Sequence, residues 1–191
     1  MNPDWELATE RLRLLPCIDE HLDGLHAIDS DPQVMRYITG RPYTRAETAN
    51  VIERVKARWA TVGYSWWSFI ESASGQIVGA GCVQNLRHSG SEPDLTCPIE
   101  IGWRVRRDKW RQGIASEAAQ AMAQFAFQRL GIEVLYAVCN PENQASMAVM
   151  KKLGMRRRGL EGWYAQQLMV YEMTASEWRT AVTTVGQRAA R

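Results

Sequence analysis

A candidate phosphate-binding turn lies in the segment Trp110-Arg111-Gln112-Gly113-Ile114-Ala115-Ser116, where a glycine and a small residue stand two positions apart. Apolar residues follow at helical spacing, which places Gly113 at the entrance of an amphipathic helix. The first N–H groups of a helix have no intrahelical partner and lie at the positive end of its dipole, so phosphate oxygens bind there. The segment therefore predicts a site for the pyrophosphate of a phosphorylated carrier. The alternative is that Gly113 and Ala115 only allow close helix-to-strand packing.

Five cations surround this turn: Arg104, Arg106, Arg107, Lys109 and Arg111. Such a cluster attracts phosphate groups more strongly than the chain's net charge of +2 suggests. The cluster also favours, weakly, a nucleic-acid module, whose binding would depend steeply on salt. The net charge gives no case for nucleic acid or a membrane as partner, so neither is expected.

Glu100 is the candidate general base. It lies in the otherwise apolar strand-like run Ile99-Glu100-Ile101-Gly102-Trp103-Arg104-Val105. A carboxylate in such a run either faces a cleft or is paired, and burial would raise its pKa toward the range useful for a base. A structural ion pair with a nearby arginine is the alternative of nearly equal weight.

Composition limits the other kinds of chemistry. The four cysteines, Cys17, Cys82, Cys97 and Cys139, show no metal-ligand or redox spacing, so no metal site is expected. No secretion signal opens the chain and no run approaches the roughly 20 apolar residues of a membrane span. These features predict a cytoplasmic protein. At 191 residues, a single domain is expected over 1–191, with a frayed tail from about 183.

The elements that must position these residues follow from periodicity and turn signals. The first predicted helix is capped by Asp19 and runs toward Asp29. Another begins at the capping box of Thr44 and ends at Gly63. The remaining predicted helices are Gln33–Ile38, about Gly113 to Leu130, Asn143–Leu153 and a short one around Glu177. Strands are predicted over Arg11–Leu15, Tyr64–Glu71, Gln76–Leu86, Ile99–Val105, Val134–Cys139 and Leu168–Thr174. An antiparallel meander followed by a strand–helix–strand crossover gives an α+β fold with one parallel strand pair. The charge run Arg156-Arg157-Arg158 indicates a solvated turn.

The order of these pieces resembles the GNAT superfamily of acetyl-CoA-dependent N-acetyltransferases. The family's Gln/Arg-x-x-Gly-x-Gly/Ala turn fits Trp110–Ala115 except at its first position. Trp110 there is similar to the Rim-type branch that acetylates ribosomal-protein N-termini. Three further blocks are similar to that branch: Thr9–Leu14, Asp31–Ile38, and Asn140–Ser146 leading to Lys152–Met155. The resemblance implies a mixed, mostly antiparallel central sheet flanked by helices on both faces.

The resemblance also implies roles for residues. Acetyl-CoA is the co-substrate, and the amine attacks its thioester directly, without a covalent enzyme intermediate. The pyrophosphate binds backbone N–H groups from Gln112 through Ala115, with the Ser116 hydroxyl as an extra donor. The pantetheine arm binds strand backbone from Trp103 to Val105, where Gly102 implies a bulge and a plain strand glycine is the alternative.

After the strand Val134–Cys139, the resemblance implies that Asn143 lines the cofactor arm and that Ser146 protonates or hydrogen-bonds the leaving thiolate. Their alternative role is helix capping. Many relatives use a tyrosine four residues beyond Ser146; this chain has Met150 there, which cannot donate a proton. The acid is therefore Ser146 or water.

The acceptor is predicted to be a peptide or protein N-terminal α-amine. An α-amine of pKa about 7.8 is roughly 10–15% neutral at pH 7, and a lysine amine only about 0.04%. The alternatives are a small amine, such as a polyamine or aminoglycoside, and a non-catalytic acetyl-CoA sensor. A cationic acceptor would need a carboxylate-rich pocket, for which the loop Ser91-Glu92-Pro93-Asp94 is thin support.

The aromatic segment Tyr64-Ser65-Trp66-Trp67-Ser68-Phe69 is expected to place Tyr64, Trp66 and Ser68 on one face of a strand and Ser65, Trp67 and Phe69 on the other. One face should be core. The other could line the acceptor pocket or a dimer contact, and a homodimer is left open. The segment from Met35 to Pro42 is a second candidate wall of the acceptor cleft.

Overall fold

The computed structural model describes residues 5–89 and 94–181. Its strands are β1 (Leu7–Ala8), β2 (Leu12–Pro16), β3 (Trp66–Glu71), β4 (Ile77–Asn85), β5 (Ile99–Val105), β6 (Val134–Cys139), β7 (Arg156–Trp163) and β8 (Gln166–Thr174). Its helices are α1 (Leu22–Asp29), α2 (Pro32–Met35), α3 (Arg45–Val62), α4 (Ile114–Gln128) and α5 (Gln144–Leu153), and residues 175–181 are also helical.

The strands of the described residues follow the sheet order β1-β2-β3-β4-β5-β6-β8-β7. The pairs β1–β2, β2–β3, β3–β4, β6–β8 and β7–β8 are antiparallel, and β5–β6 is parallel. The predicted α+β fold with a mixed, mostly antiparallel sheet is therefore confirmed, including its parallel pair.

The chain divides into two compact units. The first unit is Met1–Gln84 with Gly102–Met122, and the second is Asn85–Ile101 with Ala123–Arg191. The single domain over 1–191 stays a prediction. The tail predicted to fray from about 183 lies outside the described residues, as does most of the acidic loop at 91–94.

The first unit buries both faces of β3, because Trp67 and Phe69 on one face and Ser68 on the other are all 0% exposed. The indole of Trp59 on α3 meets Trp67 edge-on, with ring centroids 4.8 Å apart, and both residues are buried. Thr44 and Glu47 form the predicted capping box of α3, which ends at Gly63 with φ +77°. The face with Trp67 and Phe69 is core, as predicted for one of the two faces, and the other face is buried at Ser68, which contacts Cys17.

The second unit places β6 between β5 and β8. Glu100 on β5 is the register partner of Tyr136 on β6, and β6 pairs with β8 over its whole length. A buried cluster of Leu86, Cys97, Trp163, Leu168 and Val170 forms the core here, with Tyr136, Val138 and Tyr164 packed against it. Asn143 and Gly154 bound α5 as predicted, with Gly154 at φ +91°.

Two local predictions are wrong. Asp19 does not cap a helix through its side chain; Asp19–His21 form a 3-10 turn, α1 begins at Leu22, and the Asp19 carboxylate binds Lys56 Nζ at 2.7 Å. The run Arg156–Arg158 belongs to strand β7 instead of a turn. The reason is cross-strand pairing, because Glu172 on β8 binds both Arg156 and Arg158.

Candidate active site

The phosphate-turn candidate of the first unit has the backbone conformation that an anion site requires. Arg111 has φ +60° and Gly113 has φ +82°, and α4 begins at Ile114. The first N–H groups of α4, from Ile114 to Ser116, have no intrahelical acceptor, and left-handed residues at such a turn orient N–H groups toward a common point. These residues fit the pyrophosphate of a coenzyme A carrier.

A network of polar side chains from Thr9, Arg11 and Glu117 fixes the turn that precedes α4. The Glu117 carboxylate accepts hydrogen bonds from Thr9 Oγ1 at 2.5 Å and from Arg11 N at 2.8 Å. The Arg11 guanidinium pairs with Glu117 at 2.6 Å and donates to the carbonyl of Gln112 at 2.9 Å. Arg11 thus ties the last residues of the turn to the first turn of α4, and this network is absent from the sequence-based account.

Glu117 links this network to acid stability. Burial raises the pKa of Glu117, but the hydrogen bonds from Thr9 and Arg11 outweigh it and hold the pKa below the usual 4.5. A lowered pKa gives stability that is present above pH 4.5 and is lost as the pH falls through the folded-state value. We expect the melting temperature of Glu117→Gln to fall less than that of the wild type between about pH 5 and pH 3. Parallel pH curves for the two proteins would contradict this.

Four of the five basic side chains near the turn are already paired with carboxylates. The pairs are Arg104–Asp29 at 2.7 Å, Arg106–Asp108 at 2.7 Å, Arg107–Asp31 at 3.4 Å and Lys109–Glu71 at 2.7 Å. Arg111 makes no ion pair within the part of the chain that the structure describes. The positive charge available to a phosphate is therefore that of Arg111 together with the N–H groups of α4.

The strand residues predicted to meet the pantetheine arm, Trp103 to Val105, lie at the end of β5. The half-exposed indole of Trp110 donates to the carbonyl of Val105 at 2.7 Å, which fixes the start of the turn against this strand. The Arg104 side chain is buried against Asp29, so only its backbone is left for a carrier. The predicted bulge at Gly102 stays a prediction.

The first unit also contains a small pocket. Its lining includes Cys17, Asp29, Thr48, Trp66 and Arg104. Asp29 is fully buried, and the Arg104 guanidinium that pairs with it also lies over the Trp66 ring at 4.7 Å. Burial raises the pKa of the Cys17 thiol to about 11, so this thiol is neutral at neutral pH. The face of β3 that carries Trp66 thus lines a pocket whose two charges cancel.

In the second unit, Glu100 is 5% exposed on β5. Its Oε1 atom accepts a hydrogen bond from the hydroxyl of Tyr164, at the tip of the β7–β8 hairpin. A carboxylate has about four lone-pair sites, so one that accepts a hydroxyl hydrogen bond can still take up a proton from substrate or water. The structure thus brings the predicted base together with a tyrosine that sequence reasoning did not assign to the site.

Asn143 and Ser146 lie together at the start of α5. The Asn143 side chain accepts from the Ser146 backbone N at 3.1 Å, so Asn143 is the N-cap of α5. The Ser146 hydroxyl hydrogen-bonds the thiol of Cys139, which ends β6. Burial raises the pKa of Cys139 to about 11 despite that bond. Cys139 is therefore a thiol at neutral pH and a poor nucleophile.

The residues that sequence reasoning missed had only faint signals. Glu117 stands in the first turn of a predicted helix, where acidic residues are common. Arg11 belongs to a conspicuous Arg-Leu-Arg-Leu strand, and Tyr164 to an aromatic segment near the chain's last strand. Each acts through a partner more than 60 positions away.

Comparisons with known proteins show the family to which this chain is similar. The family model of the acetyltransferase (GNAT) domain matches residues 11–156. An uncharacterised N-acetyltransferase of Bacillus subtilis, YnaD, is 47% identical over 80% of this chain and 84% of its own length. The FsC-acetyl coenzyme A-N(2)-transacetylase of Aspergillus fumigatus is 32% identical over 78% of this chain, a match that spans 64% of that protein.

Solved structures share the fold. A GNAT-family acetyltransferase from Bacillus anthracis superposes with a TM-score of 0.73 at 26% identity, over 90% of this chain and 99% of its own. The ribosomal-protein-S5-alanine acetyltransferase from Vibrio fischeri gives 0.72 at 11% identity, over 91% and 98%. At that identity the second likeness concerns the fold alone.

Two absences hold for residues 5–89 and 94–181, the part of the chain that the structure describes. None of the helices there has the length and apolarity that crossing a bilayer requires. In the same residues, no three His, Cys, Asp or Glu side chains are grouped so as to hold a metal ion.

Proposed function

Because the chain belongs to the GNAT family and is an acetyl-CoA-dependent N-acetyltransferase, we propose that its acceptor is the N-terminal α-amine of a peptide or protein. This is the chemistry of the Rim-type branch that the Thr9–Leu14 and Asn140–Ser146 blocks resemble. The fold likeness to a ribosomal-protein acetyltransferase is compatible with it. The proposal extends to a single domain, no resident metal and a cytoplasmic setting.

The observation that carries the choice of acceptor is the neutralised pocket of the first unit. Its carboxylate, Asp29, is fully buried and bound by Arg104 at 2.7 Å. A polyamine or aminoglycoside carries several positive charges and needs unpaired carboxylates to replace its hydration. A polycation would therefore find no unpaired carboxylate among the lining residues Asp29 and Arg104, which favours an acceptor with one amine.

The acidic loop at 91–94 gives little support to a cationic acceptor. Asp94, its described member, accepts hydrogen bonds from Thr96 Oγ1 at 2.6 Å and from the Cys97 thiol. These bonds, led by that from Thr96, lower the pKa of Asp94, which ties its carboxylate to its own loop. The carboxylate is therefore committed to loop structure.

The reaction divides among the chain's residues as follows. N–H groups from Gln112 through Ala115, the Ser116 hydroxyl and the Arg111 cation bind the carrier's phosphates. The backbone from Trp103 to Val105 and the Asn143 amide bind its arm. Acetyl-CoA supplies an acetyl group activated as a thioester.

Proton transfers complete the proposed chemistry. The amine nitrogen forms a bond to the acetyl carbon while the carbon–sulfur bond breaks. Glu100 accepts the proton that the amine loses, through a water molecule, and Ser146 donates a proton to the departing sulfur. Because roughly 10–15% of an α-amine is neutral at pH 7, far more than of a lysine amine, one modest base is enough for it.

The experiment offers the protein and acetyl-CoA two pools of acceptors. One pool holds peptides with varied free N-termini, and the other holds polyamines and aminoglycosides. Release of free CoA is followed, and products are identified by mass spectrometry. We expect turnover with the peptide pool. Turnover with the cationic amines alone would overturn the proposed acceptor and leave the family activity intact.

A further inference from the structure

We propose that Tyr164 is a positioning residue for acetyl transfer: its hydroxyl holds the Glu100 carboxylate in the orientation and the ionised form that a general base needs. The inference rests on the proposed function, in which Glu100 takes the amine proton. It assigns a role to a side chain that the Rim-type blocks do not contain.

The first support is the hydrogen bond itself. The Tyr164 hydroxyl donates to Oε1 of Glu100, and that carboxylate is 5% exposed. Burial disfavours an ionised carboxylate, whereas a donor to one of its oxygens favours it. The same bond restrains the rotation of the carboxylate. Tyr164 therefore influences both the ionisation and the orientation of the Glu100 carboxylate.

The second support is the backbone at the hairpin tip. Trp163 and Gln166 are the last register pair of β7 and β8, so Tyr164 and Ala165 form a two-residue turn. Both have φ +55°. Turns with two left-handed residues favour Asn, Asp and Gly, because a side chain in this conformation crowds the backbone. Neither Tyr nor Ala suits the turn, and strain of this kind collects at functional sites.

The third support is a clamp that holds this strained turn. Tyr164 N donates to the carbonyl of Arg87 at 2.8 Å, and Ala165 N donates to that of His88 at 2.7 Å. The Arg87 guanidinium lies over the Tyr164 ring at 4.6 Å, and the His88 ring stacks on Trp163 at 4.4 Å. The Tyr164 ring is held on one face by Arg87, and the Tyr164 backbone is held by its hydrogen bond to the Arg87 carbonyl. These contacts fix the position of the Tyr164 hydroxyl.

Other charged and titratable groups surround this pair. Tyr136 is the register partner of Glu100, and Arg158 lies over the Tyr136 ring at 5.6 Å while bound to Glu161 and Glu172. On the loop side stand Arg87 and His88. A pH profile must therefore be compared with a variant that changes His88.

The test uses Tyr164→Phe, with Tyr136→Phe as matched control and His88→Gln to identify any contribution from the imidazole. Phe keeps the ring and its packing against the core cluster and removes only the hydroxyl. We expect kcat of Tyr164→Phe to fall about tenfold, as for a lost bond to a charged group. The acidic limb of kcat/KM should move to higher pH, because the carboxylate loses a bond that favours its charge. KM for acetyl-CoA should not change, and Tyr136→Phe should match the wild type.

A second variant separates the hydroxyl from the turn. Ala165→Gly relieves the left-handed strain at the neighbouring position and should raise the melting temperature with wild-type kcat. A Tyr164→Phe protein with the wild-type kcat and pH profile, while Glu100→Gln is impaired, would overturn this inference and leave the proposed base in place. Wild-type activity of Glu100→Gln would instead overturn the base assignment in the proposed function.

Discussion

Glu100→Gln is expected to lower kcat by about 100-fold or more, the usual contribution of a general base. The amide is nearly isosteric and still accepts the hydrogen bond from Tyr164, but it cannot take up a proton. Because Glu100 is assigned to the acceptor's proton and not to the carrier, KM for acetyl-CoA should change little. Steady-state kinetics with a peptide acceptor measures both parameters.

The control for this variant is Glu133→Gln, which removes a carboxylate from the exposed surface of the same unit. It should retain wild-type kcat. If Glu100→Gln matched Glu133→Gln in rate, Glu100 would be a structural carboxylate, and another base or water would have to take the proton.

Gly113→Ala is expected to raise the dissociation constant for acetyl-CoA about tenfold or more, which corresponds to about 1.4 kcal/mol. Gly113 has φ +82°, and a Cβ there would lie 3.3 Å from Nη2 of Arg11. A left-handed alanine costs roughly 1–2 kcal/mol, and relaxation of the turn would rotate the N–H groups away from the phosphates. Isothermal titration with acetyl-CoA gives the affinity directly.

Gly131→Ala is the matched control for this variant. Gly131 has φ +65° and lies beyond the other end of α4, with no heavy atom within 4 Å of an added Cβ. It carries the same conformational penalty and should lower the melting temperature by a similar amount. Its affinity for acetyl-CoA should stay at the wild-type value. Equal affinities of the Gly113→Ala and Gly131→Ala variants for acetyl-CoA would show that the turn at Gly113 does not bind its phosphates.

Local signals explain which parts of the fold could be predicted. The capping box at Thr44, the glycine stops at Gly63 and Gly154, and the strand Ile99–Val105 each depend on neighbours within a few residues. The turn at Gly113 and the start of α4 were also predictable, because a glycine, a small residue and a helical periodicity stand next to one another. The GNAT resemblance then joined these pieces in the right order.

Partnerships between distant residues explain what the sequence could not show. The cation cluster loses most of its charge to carboxylates such as Asp29, 75 positions before Arg104. The run Arg156–Arg158 forms a strand because Glu172 faces it from β8. Tyr164 reaches Glu100 across 64 positions through a Tyr-Ala turn that has none of the usual turn residues. Such pairings depend on which strands become neighbours in the sheet, and the order of strands in a sheet cannot be predicted from amino-acid composition.

The proposed acceptor is tested most directly with a single peptide that carries both a free α-amine and a lysine side chain. The protein is incubated with this peptide and acetyl-CoA near pH 7, and fragmentation mass spectrometry locates the acetyl group. We expect acetylation on the α-amine, with the lysine Nζ unmodified. Acetyl groups found on Nζ alone would contradict an N-terminal acetyltransferase.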